Sequence, residues 1–318
     1  MNVLMRFIGT ILLSIPLLAQ AQYPTKPIRL VLPFPAGGIA DAVARIIGQR
    51  LSQTLGQPVI VDNRPGADGA IAGETVTKAA SDGYTLLFGT SSTLSAVPAL
   101  RKNPPYDPIA DFTPIALVGR FSFFVFVNAG MQAKTLPEFV RYARANPGKL
   151  NYGTGNTPSI LATAQFKSLA GIDMLQVPYK GDAPAITDLL GGRVDMVIAS
   201  TVPALALAKD GKIRALAALL GQRSPHLPEV PTMVEAGFPE YSVTSWAGLF
   251  GPAKLPREIV EILERETNTI LRQQEVKEQL ERQAFEIEGS TPEQLRLYVK
   301  AQREVWQRAA REAGIQPE

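Results

Sequence analysis

The stretch Pro33-Phe34-Pro35-Ala36-Gly37-Gly38-Ile39-Ala40-Asp41 joins two segments of different periodicity. Before it, Ile28-Arg29-Leu30-Val31-Leu32 is a short apolar run that reads as a buried strand. After it, Val43, Ile47, Leu51 and Leu55 recur at i, i+4 spacing and lay one apolar stripe along a helix opened by Asp41. Strand, glycine-rich turn and helix form the repeating unit of a parallel sheet covered by helices. Gly37 and Gly38 let the backbone approach a ligand with no Cβ in the way. The helix start adds N–H groups without intrahelical acceptors and the positive end of the peptide dipole. Such a terminus binds carboxylate or phosphate without any Arg or Lys.

The same unit recurs outward from this stretch. Segments 59–61 and 84–88 read as strands, with a helix over 74–80. A second block begins near Phe123, with strands over 123–127, 174–177, 194–198 and 213–218 and helices over 136–145 and 183–190. From Trp246 the character changes again: 256–285 is mostly helical, and a last helix runs from Thr291 to Ala313 with Gly314 as its cap. Gly89-Thr90-Ser91-Ser92-Thr93 and Gly153-Thr154-Gly155-Asn156-Thr157 repeat the design of the first turn and add hydroxyl and amide donors. All three turns fall at the carboxyl ends of strands, where parallel sheets place their ligands. One such turn is equally well explained as a turn former or helix cap; three in two blocks favour a cleft.

Composition narrows the function. The 318 residues are 46% apolar and 19% charged, enough to bury cores in about two domains. A net charge of +3 with no dense Lys/Arg run gives no support to nucleic-acid binding. Residues 1–21 carry one charge, Arg6, then an apolar run from Phe7 to Leu18 and the small-residue pattern Ala19-Gln20-Ala21. This reads as a secretory signal peptide cleaved after Ala21, which places the protein in the periplasm. With no Cys, thiolate metal sites and disulfides have no residues to draw on; a single His, in a Pro-rich loop, argues against a zinc site or a Ser–His triad, and no cofactor or metal is expected. His226, within Arg223-Ser224-Pro225-His226-Leu227-Pro228, reads as an exposed loop residue, and Asp182 and Asp188 read as solvated surface.

The chain also resembles a known family. Pro33-Phe34-Pro35-Ala36-Gly37-Gly38 with Asp41 and Ala44-Arg45 looks like the opening motif of the Bug receptors, the extracytoplasmic solute receptors of tripartite tricarboxylate transporters. Asn63-Arg64-Pro65-Gly66-Ala67, Asp82-Gly83-Tyr84-Thr85-Leu86, Val177-Pro178-Tyr179-Lys180-Gly181 and Trp246-Ala247-Gly248-Leu249-Phe250 continue the likeness in order. The resemblance implies a periplasmic-binding-protein-like, type II Venus-flytrap fold: two α/β lobes joined by two crossing strands. Residues 22–122 plus 246–318 would form the first lobe and 123–245 the second. It implies a binding protein and not an enzyme, with a small carboxylate as ligand and the membrane subunits of such a transporter as partners; nothing in the sequence indicates an oligomer, so a monomer is the default expectation. The first loop, through Phe34, Ala36, Gly37, Gly38, Ile39, Ala40 and Asp41, would hold one ligand carboxylate, with Ser91, Ser92 and Thr93 beside it. Thr154, Gly155, Asn156, Thr157, Ile160, Tyr179, Gly181, Ala183, Ala199 and Ser200 would decide which ligand fits, and Trp246 would also touch it.

Two departures bear on that choice. Ile160 and Ala199 stand where many relatives carry His and Asp, so the ligand is expected to have an apolar or aromatic distal end. Asp68, where a small residue is commoner, would repel an anion if it faced the cleft, so it is expected to point to solvent. An enzyme on the same scaffold would have to draw on Asp41, Ser91, Thr154 and Tyr179, and a receptor feeding a signalling system would share every feature above.

Overall fold

The computed structural model describes residues 23–200, 202–312 and 314–317. The expected signal peptide and its cleavage after Ala21 lie outside the described residues. In chain order the elements are β1 (Ile28–Leu32), α1 (Ile39–Leu55), β2 (Val59–Asn63), α2 (Ala70–Thr77), β3 (Thr85–Thr90), α3 (Val97–Leu100), β4 (Phe112–Phe121) and β5 (Phe124–Asn128). Then come α4 (Leu136–Ala145), β6 (Asn151–Thr154), α5 (Thr157–Ala170), β7 (Leu175–Pro178), α6 (Asp182–Leu190), β8 (Met196–Ala199), α7 (Val202–Lys209) and β9 (Ile213–Ala218). β10 (Ser245–Pro252), α8 (Arg257–Leu271), α9 (Gln274–Glu281), β11 (Phe285–Ile287) and α10 (Pro292–Glu312) complete the chain.

The strands form two sheets. One has the order β11-β4-β10-β3-β1-β2 and the other β7-β6-β8-β5-β9. β1 pairs in parallel with β2 and β3, and β6 with β7 and β8, so each sheet has a parallel heart. β10 runs antiparallel between β3 and β4, and β5 antiparallel between β8 and β9. The chain leaves the first sheet after β4, enters the second at β5 with only Ser122 and Phe123 between, and returns after β9 to β10. This is the expected fold class: two α/β lobes joined by two crossing strands.

The continuous apolar reading of β1 has a structural cause. Ile28, Leu30 and Leu32 pack into the core with Val43, Ile47 and Leu51 of α1, while Val31 faces the opposite cluster with Ala72 and Val76 of α2. A strand covered on both faces cannot alternate with polar residues. β4 and β10, by contrast, carry Pro114, Gly248 and Gly251, residues that weaken a strand pattern. Their pairing accommodates Pro114 opposite Phe250 beside a register shift. No helix among the described residues is long and apolar enough to cross a membrane.

His226 departs from its expected exposure. It is half-buried; burial and then Lys209 push its pKa below the usual range, against a hydrogen bond with the Glu281 backbone.

Candidate ligand-binding cleft

A cavity of about 880 Å³ lies between the lobes. The first lobe contributes the 33–41 loop, the end of β3 and the start of β10; the second contributes the start of α5, the 180–183 segment, the rest of α6 and the start of α7. Phe121 and Phe123, on either side of the first crossing, line it too.

Asp41 organises the 33–41 loop. The residue is buried, and its carboxylate accepts hydrogen bonds from the Gly37 amide (3.0 Å), Arg45 Nε (2.9 Å) and Asn63 Nδ2 (2.9 Å). Asn63 Nδ2 also donates to the Phe34 carbonyl at 2.9 Å. Burial pulls the Asp41 carboxyl upward, but the hydrogen bonds from Arg45, Gly37 and Asn63 outweigh it and hold the group below the usual carboxylate range. Gly37 takes φ = 89°, a conformation that favours glycine, and turns its amide onto Asp41. Gly38 is the N-cap of α1 and supplies no side-chain cap, so the first amides of the helix, those of Ile39 and Ala40, keep no intrahelical acceptor. Gly38, Ile39 and Ala40 all line the cavity.

Two hydroxyls face the cavity from opposite lobes. Thr90 is 2% exposed and Ser200 6%, and neither Thr90 Oγ1 nor Ser200 Oγ has a hydrogen-bond partner. A buried hydroxyl without a partner costs about 1–3 kcal/mol, so such groups mark places where a ligand atom would be favourable. Thr90 stands at the last position of β3 and Ser200 just past β8, both at strand carboxyl ends.

The second-lobe wall is satisfied from within. Asn156 caps α5: its Oδ1 accepts from the Ser159 amide at 2.9 Å, its own amide donates to Ser159 Oγ at 3.2 Å, and its Nδ2 donates to Asp182 Oδ1 at 2.8 Å. Gly155 packs so closely that a Cβ there would overlap the Gly181 carbonyl carbon and the Asp182 amide. Asp182 is half-buried and is one of the residues that line the cavity, contrary to the expectation of solvated surface. Burial pushes its carboxyl up to about 7, against hydrogen bonds from Asn156 and the Ser200 backbone. Asp188 is held separately by Tyr179 Oη and Arg193, each at 2.7 Å.

Of the expected contact residues, Phe34, Gly37, Gly38, Ile39, Ala40, Ser92, Gly155, Asn156, Gly181, Ala183 and Ser200 line the cavity. The others do not. Asp41 faces the loop interior, Ala36 is exposed, and Ser91 and Thr93 are fully buried, with Ser91 Oγ 3.2 Å from Ser245 Oγ. Thr154 Oγ1 accepts from Gln176 at 2.9 Å, and Tyr179 is tied to Asp188. Ile160 stands two residues beyond Pro158, which lines the wall, and so lies about 200° further round α5. Ala199 and Trp246 neighbour the lining residues Ser200 and Ser245; Ala199 packs with Phe124 and Ala185, and Trp246 lies in the core against Tyr298. Neither Ile160 nor Ala199, the two departures from relatives, is among the residues that line the cavity. The apolar wall is made instead by Phe34, Ile39, Phe121, Phe123, Ile186, Leu190, Val202 and Leu207.

Thr157 has another role. Its Oγ1 donates to Asp68 Oδ1 across the mouth of the cleft at 2.5 Å. Asp68 is exposed, yet its carboxylate is engaged by the opposite lobe and does not simply point to solvent. It sits in a run of positive φ from Gly66 to Gly69, with φ = 57° at Asp68. Among the described residues no group of three or more His, Cys, Asp or Glu side chains could hold a metal ion.

Comparison with known proteins gives one consistent result. The family described as tripartite tricarboxylate transporter family receptor matches residues 43–315. Protein BugT of Bordetella pertussis is 35% identical over 311 residues, covering 97% of this chain and 95% of its own. A protein of R. palustris solved with adipate superposes with a TM-score of 0.82 at 35% identity, covering 93% of this chain and 100% of its own. MatC of Rhodopseudomonas palustris, solved with bound malate, gives a TM-score of 0.77 at 32% identity, covering 90% and 99%.

Proposed function

The chain belongs to the tripartite tricarboxylate transporter receptor family, and we propose that it captures a small carboxylic acid with an apolar or aromatic distal part in the periplasm and delivers it to the membrane subunits of such a transporter. The observation that carries this reading is the composition of the cavity wall. The first lobe presents the free amides of α1 and the unpartnered hydroxyl of Thr90, which suit one carboxylate. Most of the remaining wall is apolar, and Ser200 Oγ is the second unpartnered hydroxyl.

Binding, and not catalysis, is the role that this wall supports. Asp41, Ser91, Thr154 and Tyr179 lie outside the cavity lining, and Asp182 stands in it without a second acid beside it among the described lining residues. Relatives solved with adipate and malate support the ligand class. We assign residues 22–122 plus 246–318 to one lobe and 123–245 to the other, with export by a signal cleaved after Ala21 and a monomer as the working unit. The division agrees with the membership of the two sheets.

A thermal-shift screen of the purified protein tests the reading. Monocarboxylates, dicarboxylates, tricarboxylates, amino acids and aromatic acids would be compared after stripping by unfolding and refolding. A ligand at about 100 times its dissociation constant stabilises the native state by about 2.7 kcal/mol, a shift of a few degrees at this size. A shift with an alkyl or aromatic monocarboxylate supports the proposal. A shift only with compact dicarboxylates keeps the receptor and removes the apolar distal part. No shift with any acid contradicts the carboxylate receptor itself.

A further inference from the structure

Asp182 and Lys180 are the two ionisable side chains among the described residues that line the cavity, and both come from the second lobe. Their environments differ. Lys180 is exposed, so its ammonium stays hydrated and its field is screened. Asp182 opens α6 and is built into the wall: Asn156 donates to its Oδ1, the Ser200 amide faces it, and Gly155 leaves room for it only by lacking a Cβ. A charge held in such a place acts through a lower effective dielectric than one in water.

We propose that Asp182 is a specificity-determining residue that excludes ligands carrying a second anionic group at their second-lobe end. This rests on the reading of the cleft as a carboxylate receptor. A ligand whose carboxylate occupies the amides of α1 extends toward the second-lobe wall. An apolar end meets Ile186, Leu190 and Leu207 there, whereas a second carboxylate meets the Asp182 carboxylate. Among the described residues, the causes that act on Asp182 are burial, Asn156 and the Ser200 backbone, with no cation among them. The elements packed on α6 are β5, β6 and β8, and their one titratable side chain is Tyr152, whose ring lies under Lys167. On α6 and its flanks, Tyr179, Asp188 and Arg193 satisfy one another. α5 presents Asn156 to Asp182, which is neutral.

The exclusion is conditional on ionisation. Asp182 repels an anion only when deprotonated, and its carboxyl titrates near 7, so discrimination strengthens from pH 6 to pH 8.5. Below that range the protonated acid accepts a second carboxylate as a hydrogen-bond partner.

The test uses calorimetric affinities of matched straight-chain monocarboxylates and α,ω-dicarboxylates of four to eight carbons, at pH 6, 7 and 8.5, for the protein and for its Asp182→Asn and Lys180→Met variants. The protein should prefer the monocarboxylate by about tenfold at pH 8.5, with the preference shrinking at pH 6. D182N should lose both the preference and its pH dependence, and K180M should keep them. A pH-independent preference in the unaltered protein, an unchanged ratio in D182N, or a ratio governed by Lys180 would overturn the proposal while leaving the receptor intact. Failure of every acid to bind any of the three proteins would remove the receptor reading and this inference with it. The pH series on the unaltered protein decides the matter even if D182N folds poorly.

Discussion

The 33–41 loop and the 180–183 segment meet at one cavity but are built by opposite rules. In the first, the charge is hidden and donors are left over: Asp41 is consumed by Gly37, Arg45 and Asn63, while the amides of Ile39 and Ala40 remain free. In the second, Asn156 is spent on Ser159 and Asp182, and the wall holds an acidic residue, Asp182, beside the unpartnered hydroxyl of Ser200 and the exposed Lys180. A carboxylate can therefore be held by the first lobe without a counter-ion, and the second lobe can choose among carboxylates by shape and by repulsion. An ion pair to the ligand would have bound any anion of suitable size; a neutral anchor opposite a negative wall binds fewer kinds.

Asp41 offers the severest way to break the comparison. Replacing it with Ala removes the shared acceptor of three donors and leaves the Gly37 amide without its partner, which should cost about 3 kcal/mol of stability. Urea unfolding of Asp41→Ala measures this, and a loss below about 1 kcal/mol would mean that the loop is held by something other than its hidden charge.

Asp182 should act on stability in the opposite sense. Its folded pKa is about 7 against an ordinary 3.8, so the folded state binds the extra proton between these values. Stability linked to this group is full below pH 4 and falls as pH rises through 7. The half-buried side chain keeps contact with cleft water, which limits the loss to about 2 kcal/mol. Melting curves from pH 5 to 8.5 should show D182N gaining on the parent as pH rises, and parallel curves would contradict the assignment.

Thr90→Val sharpens the first-lobe side. The swap removes an unpartnered buried hydroxyl, so the unliganded protein should keep or slightly raise its melting temperature. Ligand affinity should fall about tenfold, the value of one hydrogen bond to a charged group. A variant that binds as tightly as the parent would remove Thr90 from the anchor. The smallest effect belongs to Thr157→Val, which severs the hydrogen bond to Asp68 across the cleft mouth. Thr157 is buried but its partner Asp68 is exposed, so the bond contributes about 1 kcal/mol and affinity should drop a few-fold, chiefly through faster ligand release.

The fold was legible where its causes are local. β1, its glycine turn and α1 carry the apolar run, the positive-φ glycine and the i, i+4 stripe within about 30 residues, and β9 and α4 were equally clear. β4 and β10 were not, because Pro114 and Gly248 weaken the strand pattern and only long-range pairing offsets them. Roughly half of the expected contact residues line the cavity, and several of the others miss it by one residue. Reading the sequence selected Ser92 and Ser200, which line the wall, but also Ser91, Thr93, Tyr179, Ala199 and Trp246, which do not, and it passed over their neighbours Thr90, Lys180 and Ser245, which do. In and beside strands, adjacent residues face opposite sides, so knowing the segment without its register leaves the facing residue undetermined. Asp182 was missed for a different reason: a carboxylate after Gly181 reads as surface until Gly155, Asn156 and Ser200, distant in sequence, enclose it.

The central claim is that one ligand carboxylate sits at the first lobe on uncharged donors. A crystal structure of the complex with the tightest-binding acid of the screen tests it most directly. A carboxylate is expected within hydrogen-bond distance of the Ile39 or Ala40 amide and of Thr90 Oγ1, directly or through one water, with the apolar end toward Ile186 and Leu207. A carboxylate held instead at Lys180, with the apolar end against the 33–41 loop, would contradict it.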